Sequence, residues 1–403
     1  MRAAIYSRFV MPVLAIVPLF VGNPARLNGA EIPALIATFQ EVGPEGKGNA
    51  AAAQAWRELA AVDGDKLPEL LAGLDKSSPL AANWIHGAID AVAERSLREG
   101  KPLPARDLES FLLDTSHDPK ARRLAFEWLS RVDDSAPDRL IPGMLNDPSV
   151  ELRRDAVQRL VDQAEKVASE PDDKAKSVDR QKQVVALYQQ AMTAARDEDQ
   201  IKQIAKRLTD LGQKVDLPKH YGFLMEWKLI GPFDNTQGKG FAAVFPPEEK
   251  LDLIAEYEGK GQKVRWQDHA TSDDYGKVNL NKALGPFKGA TAYAVAKFTS
   301  DQEQPVEIRL GSINAWKVWL NGKLLFGHEE YHSGTKLDQN RLKGMLRKGE
   351  NTILLKVCQN EQTESWAQDW EFQLRVCDSV GTAILSTTRP ARKPDAEQQA
   401  ASR

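Results

Sequence analysis

The stretch Ala315-Trp-Lys-Val-Trp-Leu-Asn-Gly-Lys-Leu-Leu-Phe326 decides the fold of the C-terminal half of the chain. Apolar and β-branched residues flank an Asn-Gly pair, which favours a two-residue hairpin turn because both turn positions need φ > 0. A second turn pattern at residues 346–351 leads into the strand-like run Thr352-Ile-Leu-Leu-Lys-Val357. The sequence therefore predicts an antiparallel hairpin followed by a further strand, with Asn321 as a turn residue.

Short strand patterns separated by turn residues continue on both sides of this hairpin. Apolar and polar residues alternate strictly in 306–310 and 372–376, which is typical of strands with one buried and one solvated face. This number of short strands fits an antiparallel β-sandwich of the jelly-roll type at 218–385. The predicted strands are 227–230, 264–266, 291–298, 306–310, 316–320, 323–326, 352–357 and 371–376.

Residues 31–168 instead carry Ala/Leu-rich amphipathic patterns. A small residue followed four positions later by an aliphatic one recurs with a period in the thirties, and apolar helix patterns precede the last three copies. Two helices per unit at this period predict an α-solenoid, with an irregular helical bundle as the alternative. Residues 169–180 are interpreted as a linker and 181–217 as capping helices. The four copies are Ala55/Leu59, Ala88/Val92, Ala125/Leu129 and Ala156/Leu160.

Three resemblances extend this interpretation to a multidomain α plus β protein. Asp147-Pro-Ser-Val150, followed by Arg153 and Ala156, resembles the start of the second helix of HEAT repeats. The hairpin and the segment 346–357 resemble carbohydrate-binding-like modules appended to glycoside hydrolases. Trp227-Lys-Leu-Ile-Gly-Pro-Phe-Asp-Asn235, with Phe245-Pro-Pro-Glu248, is similar to a module of exported planctomycete-type proteins, which often follows helical repeats or enzyme domains. These resemblances imply a non-catalytic module with no assigned ligand.

The patterns at the two ends of the chain predict a signal peptide and a disordered tail. Arg2 and Arg8 precede or border the apolar run 9–21, and small residues lead to Ala30, a pattern that predicts a signal peptide at 1–30. An uncleaved anchor is the alternative, because Asn28 is a poor residue for the cleavage site. We expect a secreted or periplasmic protein with no membrane span after signal cleavage, and a disordered tail at 386–403. The net charge of −3 argues against a nucleic-acid partner.

Cys358 and Cys377 suggest a disulfide in an exported protein. If the strands that carry them formed one hairpin, the two residues would lie about 20 Å apart along it. That separation is beyond bridging distance. We therefore expect two free thiols.

The sequence lacks the common catalytic motifs, including Gly-x-Ser-x-Gly, His-Glu-x-x-His and the phosphate-binding loop. We predict no enzyme activity, no cofactor and no metal. His328 and His332 have the spacing of zinc ligands on a helix, but their segment follows a strand, which favours a loop. A glycosidase needs two carboxylates facing each other across a cleft, and the candidates for that alternative are Asp268, Asp273, Asp274, Asp338 and Asp369.

Tryptophans supply the candidate ligand contacts. Trp366 and Trp370 border a polar loop that also contains Asp369, and sugar sites combine a flat aromatic ring with carboxylate and amide groups. The competing interpretation is that Trp366 and Trp370 seal the edge of the sandwich. Trp316 and Trp319 face opposite sides of their strand, so we expect one in the core and the other partly exposed. The candidate ligand-binding residues are Trp366, Asp369, Trp370 and Trp319.

The prediction that follows is a secreted, non-catalytic binding or scaffold protein. Its helical repeats would bind a protein partner, and its sandwich an extracellular glycan or a protein. One alternative is an ancillary or divergent member of a polysaccharide-degrading system with weak glycoside hydrolase activity. Another is a structural component of the cell envelope with no small ligand.

Overall fold

A computed structural model describes residues 31–170 and 177–390. The predicted signal peptide lies outside these residues. The chain contains both α-helices and antiparallel β-sheets, which confirms the mixed α plus β class. It divides into two compact units, Met1–Pro137 and Asp138–Arg403. This division falls within the predicted helical repeats, not at residues 168 or 218.

The first unit is built of helices arranged in consecutive pairs. Capping residues mark the start of two of them: Ser78 caps α4 by accepting a hydrogen bond from the Ala81 N–H at 3.2 Å, and Asp118 caps α6 through the Lys120 N–H at 2.8 Å. Proline at the first position of each helix fits the same signal. The helices are α1 (Ile32–Gln40), α2 (Asn49–Leu59), α3 (Leu67–Ala72), α4 (Pro79–Arg98), α5 (Ala105–Leu113) and α6 (Pro119–Ser130), and α7 (Ala136–Leu140) contains the division between units.

The repeated small and aliphatic residues lie on the second helix of each pair. They fall on α2, α4, α6 and α8 (Val150–Ala168), and all are buried except Leu160, which is half-buried. A small residue at this position lets a neighbouring helix approach closely, and the aliphatic residue fills the space beside it.

A buried arginine recurs three residues before the repeated alanine. Arg122 and Arg153 precede Ala125 and Ala156 by the same spacing, and both are almost fully buried. The Arg122 Nε donates to the Leu112 carbonyl at 2.7 Å, and the Arg153 Nε donates to the Asp147 carbonyl at 2.9 Å. The two helices therefore use the same charged donor to bind the chain segment that precedes them.

In the second unit, α8 is followed by α9 (Ser177–Ala194), α10 (Glu198–Asp210) and α11 (Leu217–Tyr221). Because α9 begins at Ser177, residues 177–180 of the predicted linker are helical. Apolar residues of α8, α9 and α10 share one core with Tyr221 and Phe223, which lead into the first strand. This shared core explains why the helices expected to cap a solenoid belong to the same compact unit as the sheets.

Two antiparallel sheets form the rest of the second unit. The order in the larger sheet is β4-β1-β6-β11-β8-β9, and in the smaller sheet it is β10-β7-β12-β5; β2 and β3 pair separately. The strands are β1 (Glu226–Asp234), β2 (Glu256–Glu258), β3 (Lys263–Arg265), β4 (Gln267–Ala270), β5 (Val278–Asn279), β6 (Ala290–Ser300), β7 (Gln304–Ser312), β8 (Ala315–Leu320), β9 (Lys323–His328), β10 (Asn340–Leu346), β11 (Gly349–Gln359) and β12 (Glu371–Cys377). Short helices α12 (Lys239–Ala242), α13 (Pro246–Glu249) and α14 (Leu280–Ala283) lie between strands.

The two sheets share one hydrophobic core, which contains Trp316, Phe372 and Trp370. Trp319 points to the opposite face of β8 and belongs to a second cluster with Tyr293 and Leu354. The expectation of opposite faces is therefore confirmed. The expected partial exposure of one ring is wrong, because residues from the segment 245–266 cover the outer face and leave Trp319 only 8% exposed.

The Asn-Gly turn has the backbone that the sequence predicts. Asn321 has φ of 53° and Gly322 has φ of 80°. The Asn321 side chain also donates to Asn351 Oδ1 at 2.8 Å and accepts from the Thr352 N–H at 2.9 Å. Asn321 therefore joins the hairpin turn to the turn before β11.

The cysteines are unpaired for a different reason from the one expected. Cys358 lies on β11 in the larger sheet and Cys377 on β12 in the smaller sheet, so the assumed hairpin between these strands is wrong. Both side chains are buried, and burial raises the pKa of each thiol to about 11.

The first residues of the predicted tail are held by β6. The Thr387 N–H donates to the Thr299 carbonyl at 3.0 Å, and Ser386 Oγ accepts from the Thr299 N–H at 2.9 Å. Residues from 391 onward lie outside the described part of the chain. Within residues 31–170 and 177–390, no helix combines the length and apolar character needed to cross a bilayer.

Candidate functional site

An exposed tryptophan marks the place where two loops of the second unit meet. Trp366 lies in the loop between β11 and β12, and its side chain is 58% exposed. The ring of His332, from the loop between β9 and β10, meets it edge to face with 5.1 Å between ring centroids. More than half of the surface of Trp366 is open to solvent, as a stacking platform requires. We refer to these two loops as the Trp366 site.

Hydrogen bonds fix His332 beside this platform. Its Nε2 lies 3.0 Å from Asn360 Oδ1, and its backbone N–H donates to the Ile313 carbonyl at 2.6 Å. The residue has φ of 64°, a left-handed conformation that costs energy in a non-glycine residue. Asn360 also donates to Gln362 Oε1 at 2.7 Å. The amide of Asn360 therefore holds the imidazole that contacts the exposed ring.

Asn235 is the last residue of the segment 227–235, which carries one of the resemblances described above. Its side chain contacts the Trp366 site. It is fully buried, and its Nδ2 donates to Tyr331 Oη at 3.2 Å and to the Gln359 carbonyl at 3.0 Å. Burial raises the pKa of Tyr331 to about 12, so its hydroxyl stays protonated. Asn235 thus joins the end of β1 to the loop between β9 and β10 and to the last residue of β11. The sequence showed this asparagine only as part of a resemblance.

Charged residues lie in the loop that carries Trp366 and beside the end of β1. Lys260 Nζ lies 3.1 Å from Asp234 Oδ1, and Glu361 Oε2 accepts from the Gln237 N–H at 2.8 Å. The hydrogen bond from the Thr236 hydroxyl, together with Lys260, outweighs burial and holds the pKa of Asp234 below its usual value. Asp234 is therefore an anion, and Glu361 fixes the backbone of Gln237.

The four predicted ligand residues do not form one surface. Trp366 and Asp369 are exposed in the same loop. Trp370 is fully buried, and its Nε1 donates to the Val357 carbonyl at 3.3 Å, so its ring belongs to the core between the sheets. Trp319 lies in the separate cluster on the outer face of the larger sheet. Trp370 therefore packs in the core shared by the two sheets, whereas Trp366 remains exposed.

Two of the five carboxylates considered for hydrolysis, Asp338 and Asp273, are engaged in structural contacts. Asp338 binds Arg309 and Arg375, with 2.6 Å from its Oδ2 to each guanidinium. Burial alone would raise the pKa of Asp338, but the two arginines outweigh it and hold the pKa below its usual value. Asp273 accepts the backbone N–H groups of Tyr275 and Lys277, which is turn chemistry. Asp338 is thus an anion that orders structure and has no proton to donate.

The two histidines with zinc-like spacing do not face each other as ligands on a helix. His328 ends β9 and its Nε2 lies 2.8 Å from Glu330, whereas His332 binds Asn360. Within the part of the chain that the structure describes, no group of three or more His, Cys, Asp or Glu residues is placed to hold a metal ion.

A cavity of about 640 Å³ lies elsewhere in the second unit, beside β1, β4, β6 and residues 386–390. Its volume is in the range of small-molecule sites. Glu226 and Asp268 contribute carboxylates to it, and Asp268 pairs with Lys228 at 2.5 Å. The cavity shares no lining residue with the Trp366 site. This cavity was not predictable from the sequence, because one wall comes from residues that were expected to form a disordered tail.

A buried ion pair gives a structural role to Lys356 and Glu248, which lie in the segments that carry the resemblances. Lys356 is fully buried, and its Nζ lies 2.7 Å from Glu248 Oε1 and donates to the Ala243 carbonyl at 2.7 Å. The Tyr293 hydroxyl donates to the same carboxylate. Burial lowers the pKa of Lys356 and raises that of Tyr293. These contacts anchor the segment 239–250 to the larger sheet, so the role of the group is structural.

Comparisons with known proteins leave the family open. No family model matches the chain, and no curated protein matches it. Among solved structures, a beta-glucosidase from Kluyveromyces marxianus in complex with glucose is 11% identical with a TM-score of 0.26, covering 72% of this chain and 36% of its own. A GH31 alpha-xylosidase from Xanthomonas citri is 12% identical with a TM-score of 0.21, covering 40% and 17%. The chain thus spans little more than a third of the length of the beta-glucosidase, and similarities this weak carry no argument.

Proposed function

We propose that this chain is a secreted or periplasmic, non-catalytic binding protein. Its helical repeats form a solenoid for a protein partner, and its two sheets form a jelly-roll β-sandwich that binds a glycan. The observation that carries the glycan proposal is the exposed Trp366 ring in contact with His332, whose imidazole is hydrogen-bonded to Asn360 and through it to Gln362. A flat ring beside fixed polar groups is the arrangement that sugar recognition uses.

The proposed architecture has separate support in each unit. Helix pairs with a period in the thirties, and the equivalent bonds of Arg122 and Arg153, support a repeat structure. Two antiparallel sheets around one shared core support a sandwich. The Trp366 site is formed by loops at the ends of strands, where binding residues are commonly carried.

The test is a glycan-array screen of the full chain, followed by titration of the best ligand with the Trp366→Ala variant. Stacking on an exposed ring contributes about 0.5–1.5 kcal/mol beyond area burial, so the loss of Trp366 should weaken binding about tenfold. The melting temperature should change little because the ring is mostly solvated. Phe326→Ala, which removes another exposed aromatic ring, is the control and should bind the glycan normally. Unchanged affinity of Trp366→Ala would reject the site.

The second candidate function is weak glycoside hydrolase activity within a polysaccharide-degrading system. The observation that favours it is the pair of carboxylates, Glu226 and Asp268, that line the cavity. Two carboxyl groups on one cleft are the minimum for this chemistry. Release of reducing sugar by the wild-type chain, abolished in Asp268→Asn and retained in Trp366→Ala, would support this function. A chain that neither binds nor hydrolyses any glycan would leave a structural envelope component.

A further inference from the structure

The cavity beside β1, β4 and β6 lies where β1 and β6 separate. Pairing between these two strands ends at Lys228 and Val295, although β6 continues to Ser300. From there the segment 386–390 lies beside β6, since hydrogen bonds join this segment to Thr299. The cavity is therefore a split between two neighbouring strands that a later segment of the chain bridges. We call it the β1–β6 cavity.

Apolar side chains form the buried part of its lining. Four apolar residues that contact the cavity are at most 8% exposed. The cavity volume of about 640 Å³ lies in the range of sites that hold drug-sized molecules. A ligand that fills this space therefore needs an apolar body. The four buried residues are Leu224, Trp227, Val295 and Ala296.

Charged residues complete the lining of the β1–β6 cavity. Three of them are acidic and three are basic, so the lining as a whole favours a ligand without net charge. Four of the six already have a partner within the protein, which leaves one group of each sign for a ligand. The engaged groups are Lys228 with Asp268 at 2.5 Å, Lys297 with Glu350 at 2.9 Å, and Asp216 with the Lys219 N–H at 2.9 Å.

The two remaining groups are Glu226 and Arg389. Within the described part of the chain, Glu226 makes no hydrogen bond or ion pair, and Arg389 makes no ion pair. The Arg389 guanidinium donates to the Phe223 carbonyl at 2.7 Å. Burial lowers the pKa of Arg389, and the more distant Asp216 offsets this only in part. Phe223 precedes Glu226 by three residues, so at most about 10 Å of extended chain separates the two groups.

We propose that the β1–β6 cavity binds a short apolar peptide with free ends, its ammonium group at Glu226 and its carboxylate at Arg389. Charge-assisted hydrogen bonds of these two kinds are strong and directional. The apolar side chains of the peptide would contact the buried part of the lining. The proposal does not rest on the glycan site, with which the cavity shares no lining residue, and it makes no use of Asp268, on which the hydrolase candidate depends.

The experiment is isothermal titration of the full chain with the dipeptide leucyl-phenylalanine. It is compared with three capped forms: one acetylated at the amino end, one amidated at the carboxyl end and one capped at both ends. The free dipeptide should bind saturably. Each cap should weaken binding about tenfold, on the scale of one hydrogen bond to a charged group. The form capped at both ends should bind most weakly.

Two substitutions should each reproduce the effect of one cap. Glu226→Gln removes the partner of the ammonium group, so it should weaken binding of the free dipeptide about tenfold and leave binding of the acetylated form unchanged. Arg389→Gln should likewise weaken the free dipeptide but not the amidated form. Arg389→Lys keeps the charge and should retain most of the affinity, which separates a loss of charge from a displacement of the segment 386–390.

The matched controls are Glu303→Gln and Arg341→Gln, which neutralise exposed charged residues outside the cavity. Both variants should bind the free dipeptide normally. The proposal is overturned if the free dipeptide does not bind, if all four forms bind equally, or if Glu226→Gln weakens the acetylated form as much as the free one. Release of reducing sugar that depends on Asp268, without binding of the dipeptide, would instead assign the cavity to the hydrolase function.

Discussion

Lys356 and Glu248 illustrate how one buried residue pair determines a local structure. Removing one partner of a buried ion pair leaves the other charge uncompensated, which costs about 3–5 kcal/mol. We therefore expect Lys356→Met to lower the free energy of unfolding by about that amount, measured by urea denaturation. The matched control is Lys297→Met, because the Lys297–Glu350 pair has a similar distance of 2.9 Å but is more than half exposed. That change should cost less than about 1 kcal/mol.

Equal effects of the two substitutions would contradict the anchoring role of Lys356. A smaller loss for Lys356→Met combined with exposure of the segment 239–250 to proteolysis would show that the pair holds this segment and contributes little to the sheet itself.

The pair of Lys356 and Glu248 also shows which contacts cannot be predicted from the sequence. Asn321 was predictable because its role depends on its own φ and on the next residue, whereas Glu248 and Lys356 meet across more than a hundred positions of chain.

At the scale of elements, the existence of strands was easier to predict than their pairing. Alternation of apolar and polar residues is local, and the eight predicted strands all coincide with strands of the structure. The strand β10 was missed because its interior contains Lys343 and Gly344, which weaken the pattern. Pairing depends on distant segments, and the assumption that β11 and β12 form a hairpin failed for that reason.

The separation of β11 and β12 leads to a prediction about the thiols. Because Cys358 and Cys377 lie in different sheets, the denatured chain without reductant should react with two equivalents of a thiol reagent. The native chain should react slowly, since both thiols are buried and their raised pKa values of about 11 leave little thiolate at neutral pH. A value near zero after denaturation would mean that the strands are paired differently in solution.

For the whole molecule, the sequence predicted a change from helices to strands but not the division into units. The strand patterns begin at residue 227, and this change suggested a boundary near residue 218. The core does not follow composition, since Tyr221 and Phe223 pack with α8, α9 and α10. The candidate site was predictable to a similar degree: an exposed aromatic ring was expected near residue 366, but its partner His332 comes from another loop.

This shared core makes the effect of truncation testable. A fragment beginning at residue 218 leaves out α8, α9 and α10 and exposes Tyr221 and Phe223, each about 1% exposed in the intact chain. Fully exposing one large apolar side chain costs about 1.5–3 kcal/mol, a large fraction of the stability of a typical domain. A fragment beginning at residue 138 keeps the core whole. We expect the longer fragment to melt cooperatively, and the shorter one to melt at a lower temperature or to aggregate, as measured by circular dichroism. Identical melting temperatures would mean that the helices add nothing to the stability of the sheets, and the boundary would then return to residue 218.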